Sequence, residues 1–249
     1  MSDSSINSTP PNVLLNTVIE QHTFEVFEND TLRWFCLDGV LQTAMSKAEP
    51  ESLMFPHMLF MTIPLLEAVQ VNTVLELGLG GGGLLRYLNA HNPDIQIEVV
   101  EKSAQVIEIY NQFFNPQQTD SQIHCADAYD FVQQAPKHQV DLLMVDIFAS
   151  QTLVPFIFDR SFYNNLNNFL AKNGWLVINT VFTEQSHIEQ LSNVLTKLYP
   201  NALIYGFKAA QFANIVWVMS CGGKKLSSVW HQQAFFTASK TQGLSYHLT

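Results

Sequence analysis

The sequence is short of charge. Asp, Glu, Lys and Arg make up only 14% of its 249 residues, against about a quarter in an average soluble protein. The shortfall falls on the basic side: 12 Lys and Arg face 22 Asp and Glu, a formal net charge of −10. No basic run exceeds Lys224-Lys225. Such a chain repels a phosphate backbone on average, which argues against sequence-independent nucleic-acid binding. Cysteine is scarce as well. Cys36, Cys125 and Cys221 are far apart, form no CxxC or Cys/His cluster, and predict neither a zinc site nor a disulfide framework. The histidines other than His57 show no metal-ligand spacing, and no GxSxG elbow offers a serine nucleophile. The longest near-apolar stretch, Met54 to Leu66, carries His57 and two prolines and is too short to span a bilayer. Met1 to Asn12 lacks the basic and apolar regions of a signal peptide. The expectation is a cytoplasmic protein with no membrane partner, no nucleic acid and no metal.

Neutral amides fill the gap left by charge, with 18 Asn and 19 Gln, while 47% of residues are apolar. That content and length suit one large domain or a core domain with an appendage. Residues 1–12 read as a loose tail and 13–56 as a small β unit. Within the latter, the runs from Phe24 and Leu32 are broken by the turn pairs Asn29-Asp30 and Asp38-Gly39, which predicts hairpins. Thr43 to Ser52 reads as a polar, exposed connection. From 57 to 222 helix and strand alternate. The predicted strands are Thr73–Leu77, Ile95–Val100, Gln122–Cys125, Val140–Val145, Trp175–Thr180, Ala202–Phe207 and Ile215–Ser220. The predicted helices are Met58–Ala68, Leu84–Ala90, Ala104–Phe114, Ala128–Gln134, Asp159–Ala171, closed by Asn173-Gly174, and Glu184–Leu198. This is the pattern of an α/β doubly wound parallel sheet, which binds ligands at the carboxyl ends of its strands. Residues 223–249 form a C-terminal tail that covers either the sheet or a partner.

Glu76-Leu77-Gly78-Leu79-Gly80-Gly81-Gly82-Gly83 follows a strand and opens a helix, the context of a nucleotide-binding glycine turn. Glycines let the backbone turn sharply and bring a ligand against the helix N-terminus. The next strand ends in Glu101, placed to grip ribose hydroxyls. Asp127 follows the short third strand; it suits an exocyclic adenine amine, though Asp also favours helix N-capping. The fourth strand ends in Asp146, a general base or an orienting acceptor. Glycine turn and ribose acid fit NAD enzymes too. The Glu-x-Gly-x-Gly-x-Gly pattern of Glu76, Gly78, Gly80 and Gly82 resembles the first motif of class I methyltransferases, and Ala126-Asp127-Ala128 adds the adenine acid typical of that Rossmann fold.

The resemblance then narrows. Leu37-Asp38-Gly39-Val40-Leu41-Gln42 is similar to the LDGxxQ signature of spermidine synthases. His57 and Pro64-Leu65-Leu66 fall at its YHE and PLL segments, and Gly78 to Arg86 at its GGGDGG-x-x-R. Val100-Glu101-Lys102-Ser103 resembles VEID, Asp146 the first acid of DSSDP, and Phe158…Phe162-Tyr163 the LF…FY pair. The likeness runs in order from about residue 24 to 220. It implies a spermidine-synthase-like transferase, a homodimer by family habit, that binds S-adenosylmethionine or its decarboxylated form. The donor site it implies includes Gln42, His57, Glu76, Gly78, Gly80, Gly82, Glu101 and Asp127, with Asp146 catalytic. His57 has an alternative as a packed residue beside an apolar helix.

Several family positions differ. The GGGDGG aspartate, implied to hold the donor's aminopropyl amine, is Gly81; the second DSSDP acid is Ala149; the PxGP stretch is Ser150-Gln151-Thr152-Leu153. Pro56 and Met58 replace the tyrosine and glutamate of YHE, about five residues are inserted between Gln42 and His57, and TYPxGxWGF is unrecognisable at Ala209 to Ile215. A dicationic polyamine needs carboxylate partners, since a buried unpaired ammonium costs several kcal/mol. Three readings stay open: alkyl transfer, methyl first, from S-adenosylmethionine to a non-polyamine small molecule; aminopropyl transfer from the decarboxylated donor; and a nucleoside-binding protein without turnover.

Overall fold

The computed structural model describes residues 11–67, 70–148, 154, 156–182, 184–209, 212–227 and 243–248, with residue 209 and the last span given by backbone alone. The predicted tail falls largely on residues 1–10, outside the described residues. So do Ala149, residues 150–153, and Trp230, Phe235 and Phe236.

An antiparallel sheet of four strands comes first: β1 (Asn12–Ile19), β2 (His22–Glu28), β3 (Leu32–Leu37) and β4 (Val40–Ser46), in that spatial order. The Asp38-Gly39 hairpin forms as predicted, with both residues at positive φ and Asp38 accepting from Thr23 N at 2.8 Å. Strand β1 was not anticipated, because its turn, Glu20-Gln21, holds positive φ without a glycine. The expected exposed connection from Thr43 is corrected: β4 runs on to Ser46, and Thr43 is only 2% exposed. Phe24, Val26, Phe35 and Met45 share one core cluster with the main sheet, each contributing roughly 1.5–3 kcal/mol by burial. Arg33 on β3 pairs with Glu28 at 2.7 Å and donates to Phe113 O at 2.7 Å, a second tie to the main domain.

Helices α1 (Pro56–Met61) and α2 (Ile63–Leu66) replace the single predicted helix. The break is at Thr62, whose hydroxyl turns back to Leu59 O at 2.8 Å, just before Pro64, which has no N–H to continue the ladder. Then follow β5 (Thr73–Leu77), α3 (Gly83–His91), β6 (Gln96–Glu101), α4 (Ala104–Ile109) with a wide π-type turn at Tyr110–Phe114, β7 (Gln122–Cys125), α5 (Ala128–Phe131) and β8 (Val140–Val145). Helix α6 (Arg160–Phe169) leads into β9 (Leu170–Val181), α7 (Gln185–Leu198), β10 (Leu203–Ala209), β11 (Asn214–Ser220) and β12 (Gly243–Leu248). Asn173-Gly174 does not close α6, which passes into extended backbone at Leu170.

The second sheet has the order β12-β10-β11-β9-β8-β5-β6-β7. Strands β9, β8, β5, β6 and β7 are parallel, whereas β11, β10 and β12 are antiparallel additions. The link between β10 and β11 is too short for a crossover helix, so a hairpin is the only connection available. Period-two alternation sorts the central strands onto two cores. Val74, Leu142, Met144 and Val177 face one side; Leu75, Leu143, Val145 and Leu176 face the other. The chain leaves β5 towards β6 and β7, then returns to β8 on the opposite flank. The crevice at the carboxyl ends of β5 and β8 is therefore the topological switch point, where open α/β sheets bind ligands. No helix among the described residues is long and apolar enough to cross a membrane.

Candidate active site

The glycine turn occupies that switch point. Gly78 N donates to Val100 O at 2.8 Å. Gly78 itself has φ +100°, and a Cβ there would stand 2.2 Å from Asp146 O, so the loop lies directly against the end of β8. Gly80 also has positive φ, and a Cβ there would meet nothing within 4 Å; its backbone faces open space that a ligand group can fill. Gly82 caps α3 in the left-handed conformation with the Tyr110 ring against it. Gly81 differs. Its φ is ordinary, but a Cβ would come within 2.0 Å of Thr43 Cγ2.

Neighbouring strand ends supply the acids. Glu101, closing β6, accepts from Leu79 N at 3.1 Å and from Ser103 N at 2.9 Å. It is thereby fixed facing the loop. Ala126 N donates to Glu101 O at 3.0 Å, which sets the start of the Asp127 turn beside it. Asp127 caps α5 through Tyr129 N at 2.8 Å, so the capping role is realised at one of its oxygens.

Asp146 N donates to Leu77 O at 2.8 Å, which extends the β5–β8 pairing to the rim. Its carboxylate accepts from Asn179 Nδ2 at 2.8 Å, and Asn179 Oδ1 accepts from Asn214 Nδ2 at 3.1 Å. Desolvation pushes the Asp146 pKa up, against the pulls of His57 and the Asn179 bond. His57 joins it from the first turn of α1. Burial holds the imidazole below its ordinary value, against the pull of Asp146. The His57 ring stacks on Phe55 with centroids 5.5 Å apart, and its buried Nδ1 has no hydrogen-bond partner.

Glu76 lies beneath the loop, 2% exposed, with Oε2 unpartnered. Desolvation, then the Asp146 charge, raises its pKa well above the ordinary carboxylate value, with Arg86 opposing. Arg86, also 2% exposed, donates to Pro50 O at 2.7 Å, to Phe114 O at 2.9 Å and to Gly81 O. It thus ties the inter-sheet connection, the π-type turn and the glycine loop together. Gln42 makes its side-chain bond within its own strand, to Val40 O at 3.2 Å; the neighbouring Thr43 is what meets the loop.

Sequence reasoning gave no role to Asn179, Asn214 or Thr43, and met Arg86 only as the last residue of the glycine-turn motif. Asn179 carried the one usable signal, an amide near the end of the otherwise apolar run from Trp175. No group of three or more His, Cys, Asp or Glu side chains among the described residues could hold a metal. A cleft of about 350 Å³ lined by Gln139, Leu170, Tyr199 and Cys221 lies at the opposite, amino-terminal edge of the sheet.

The Spermine/spermidine synthase domain profile matches residues 54–232. The eEF1A lysine and N-terminal methyltransferase of Xenopus laevis is 27% identical over 168 residues, which are 63% of this chain and 24% of that protein. The chain therefore spans about a quarter of that relative's length. The polyamine aminopropyltransferase of Yersinia pestis is 28% identical over 215 residues, covering 78% of this chain and 67% of the other. In fold, the spermidine synthase of Thermotoga maritima superposes with a TM-score of 0.65 at 19% identity, over 87% of this chain and 75% of that one.

Proposed function

The chain belongs to the spermine/spermidine synthase family, and from that premise we propose a transferase that binds S-adenosylmethionine or its decarboxylated form and passes an alkyl group, methyl in our reading, to a non-polyamine acceptor. The residues present fit such a donor. Gly80 offers open space at the loop, Glu101 is held facing it, and Asp127 stands at the next strand end for the adenine. The bound sulfonium supplies an electrophilic carbon and a neutral thioether leaving group. The protein's part is then alignment and removal of a proton from the attacking atom. Asp146 is the base in this reading, oriented by Asn179 at 2.8 Å.

The observation that carries the choice of acceptor is the surface next to that base. Asp146 is followed by Ile147 and by Phe148, which is 43% exposed. A dication would meet apolar surface there and lose hydration without a partner. A second reading, aminopropyl transfer, is favoured by the match to the Yersinia pestis enzyme over 78% of this chain. One assay separates the two. Protein incubated with S-adenosylmethionine and a panel of amine and peptide acceptors should release S-adenosylhomocysteine, whereas 5′-methylthioadenosine formed from the decarboxylated donor and putrescine reverses the order. Calorimetry should give putrescine a millimolar or weaker dissociation constant, on the order of 4 kcal/mol of binding or less.

The protein acts as a cytoplasmic homodimer in this reading. Strand β1 is an uncharged sheet edge with Val13 57% and Val18 66% exposed, and an antiparallel edge of this kind is self-complementary.

A further inference from the structure

A carboxamide has two ends of nearly the same shape, an oxygen that only accepts and an NH2 that only donates. Half a turn about its last bond exchanges them. At Asn179 the choice matters. The residue is 1% exposed, so bulk water does not serve whichever end is left over, and its Nδ2 donates to Asp146 Oδ1 at 2.8 Å. Turned over, the same side chain would offer an oxygen to the carboxyl, and only a protonated Asp146 could donate to it.

Asn214 fixes the choice. Its Nδ2 donates to Asn179 Oδ1 at 3.1 Å, so a half-turn of Asn179 would set NH2 against NH2 as well as oxygen against Asp146. The contact follows from register. Asn179 pairs with Val216 across the antiparallel β9–β11 ladder, and Asn214, two residues back along β11, is its diagonal neighbour on the same face. A hydrogen bond to the ionised form of an acid favours that form, whereas burial of Asp146 favours the protonated one. Other titratable groups bear on this carboxyl: His57 from α1 and Glu76 from β5, with Glu101 of β6 and Arg86 of α3 acting on Glu76. What β9 and β11 bring to it is the pair of neutral amides.

Resting on the transferase reading above, we propose that Asn214 is a positioning residue: its amide donor locks Asn179 in the one orientation that presents N–H to Asp146, and so holds the carboxyl in the ionised form able to take a proton from the acceptor. Asn214 acts through Asn179, on which end of that amide faces the base.

The test needs no acceptor at first. Nitrogen-15 spectra of the side-chain amides, with the Asn179 signals identified by their loss in Asn179→Ala, should titrate with Asp146 and stop titrating in Asp146→Asn. Asn214→Leu keeps the volume without the donor. It should move that midpoint up by about half to one pH unit, the worth of one neutral hydrogen bond. Asn214→Asp, the same shape with acceptors only, should move it further. In turnover with acceptors from the panel above, Asn214→Leu should release thioether about three- to tenfold more slowly below its midpoint and at the wild-type limiting rate above it. Acceptor KM and S-adenosylmethionine affinity should not change. A midpoint that stays in place, or a rate lost equally at every pH, overturns the proposal. Failure of both variants to fold also overturns it, because Asn214 is then a structural residue. A wild type that binds neither S-adenosylmethionine nor its decarboxylated form overturns the transferase reading, and with it Asp146 as a base, whatever the amide titration shows.

Discussion

Replacing Arg86 with lysine should harm the protein more than replacing it with methionine. The guanidinium is 2% exposed and bridges carbonyls on three separate segments, at Pro50, Gly81 and Phe114. Gly81 O and Phe114 O are buried acceptors, and orphaning each costs about 1–3 kcal/mol. Pro50 O lies nearer the surface and rehydrates. Arg86→Met incurs that loss of about 2–6 kcal/mol. It also removes a cation whose burial holds its pKa down from 12.5 to about 10, a relief of roughly 3 kcal/mol at about 1.4 kcal/mol per unit. The net loss should therefore be no more than about 3 kcal/mol. Arg86→Lys keeps the charge but not the planar fork, and one ammonium cannot face three diverging carbonyls. It should lose about 2–6 kcal/mol with no relief. Urea unfolding at pH 7, with slopes compared to confirm equal exposed surface, gives both values. A buried lysine has its pKa depressed, so its folded form binds fewer protons than the unfolded chain. Stability of Arg86→Lys should then rise as pH climbs from 7 to 10. A lysine variant as stable as wild type, or more stable than the methionine variant at pH 7, refutes the three-carbonyl argument.

Other consequences are open to direct measurement. Asp146→Asn should lower thioether release about 10²–10⁴-fold while leaving donor affinity and melting temperature nearly unchanged; early melting, or full activity, ends the case for Asp146 as the base. Because burial raises the Asp146 pKa, wild-type rate should climb with pH through that raised value, and a flat profile argues against a titrating base. Glu101→Gln should weaken 5′-methylthioadenosine binding about ten- to a hundredfold, from loss of a charge-assisted bond worth about 1.5–3 kcal/mol. Burial raises the Glu76 pKa well above its ordinary value of 4.5, so the folded state holds a proton that the unfolded state releases. Stability is then lost as pH rises above 4.5 towards the raised value, with a slope of at most about 1.4 kcal/mol per pH unit. Glu76→Gln should abolish that part of the slope, which melting between pH 4.5 and 8 will show. If the proposed homodimer pairs through β1, the protein should sediment as a dimer and Val18→Lys, a charge placed on that uncharged edge, as a monomer, without a change in donor affinity; a wild-type monomer overturns it.

How much of this was legible depended on whether the signal was local. The β5 strand, the glycine turn and the acids closing β6 and β8 could be read because strand, turn and strand-end acid are adjacent in sequence. Thr43 was misread as exposed because a threonine looks polar in any local window; its burial is decided by Gly81, which is close only in the fold. The helix from Met58 was read as continuous although Pro64 announced the break, since apolar periodicity outweighed a single imino acid. Asn173-Gly174 matches a helix stop, yet α6 ends at Phe169 because Leu170 already pairs beside Val140 as the first residue of β9. Asn179 and Asn214 could not be paired with Asp146 from sequence at all. Their meeting requires β11 to lie antiparallel beside β9, a register set by the whole sheet.

That last contact divides the site by time of birth. Every residue of the proposed donor side, from Glu76 through Glu101 and Asp127 to Asp146, has been synthesised by residue 146, whereas the amide chain behind the carboxylate is completed only by Asn214, 68 residues later. At about 5–20 residues per second, a growing chain spends roughly 3–14 s in that interval. Asn179, which bonds Asp146 directly, is made midway through it, but its own partner Asn214 is not. On the proposed reading, chains arrested before residue 214 should bind donor less well oriented for transfer than the finished protein, since the antiparallel end of the sheet completes the amide chain last.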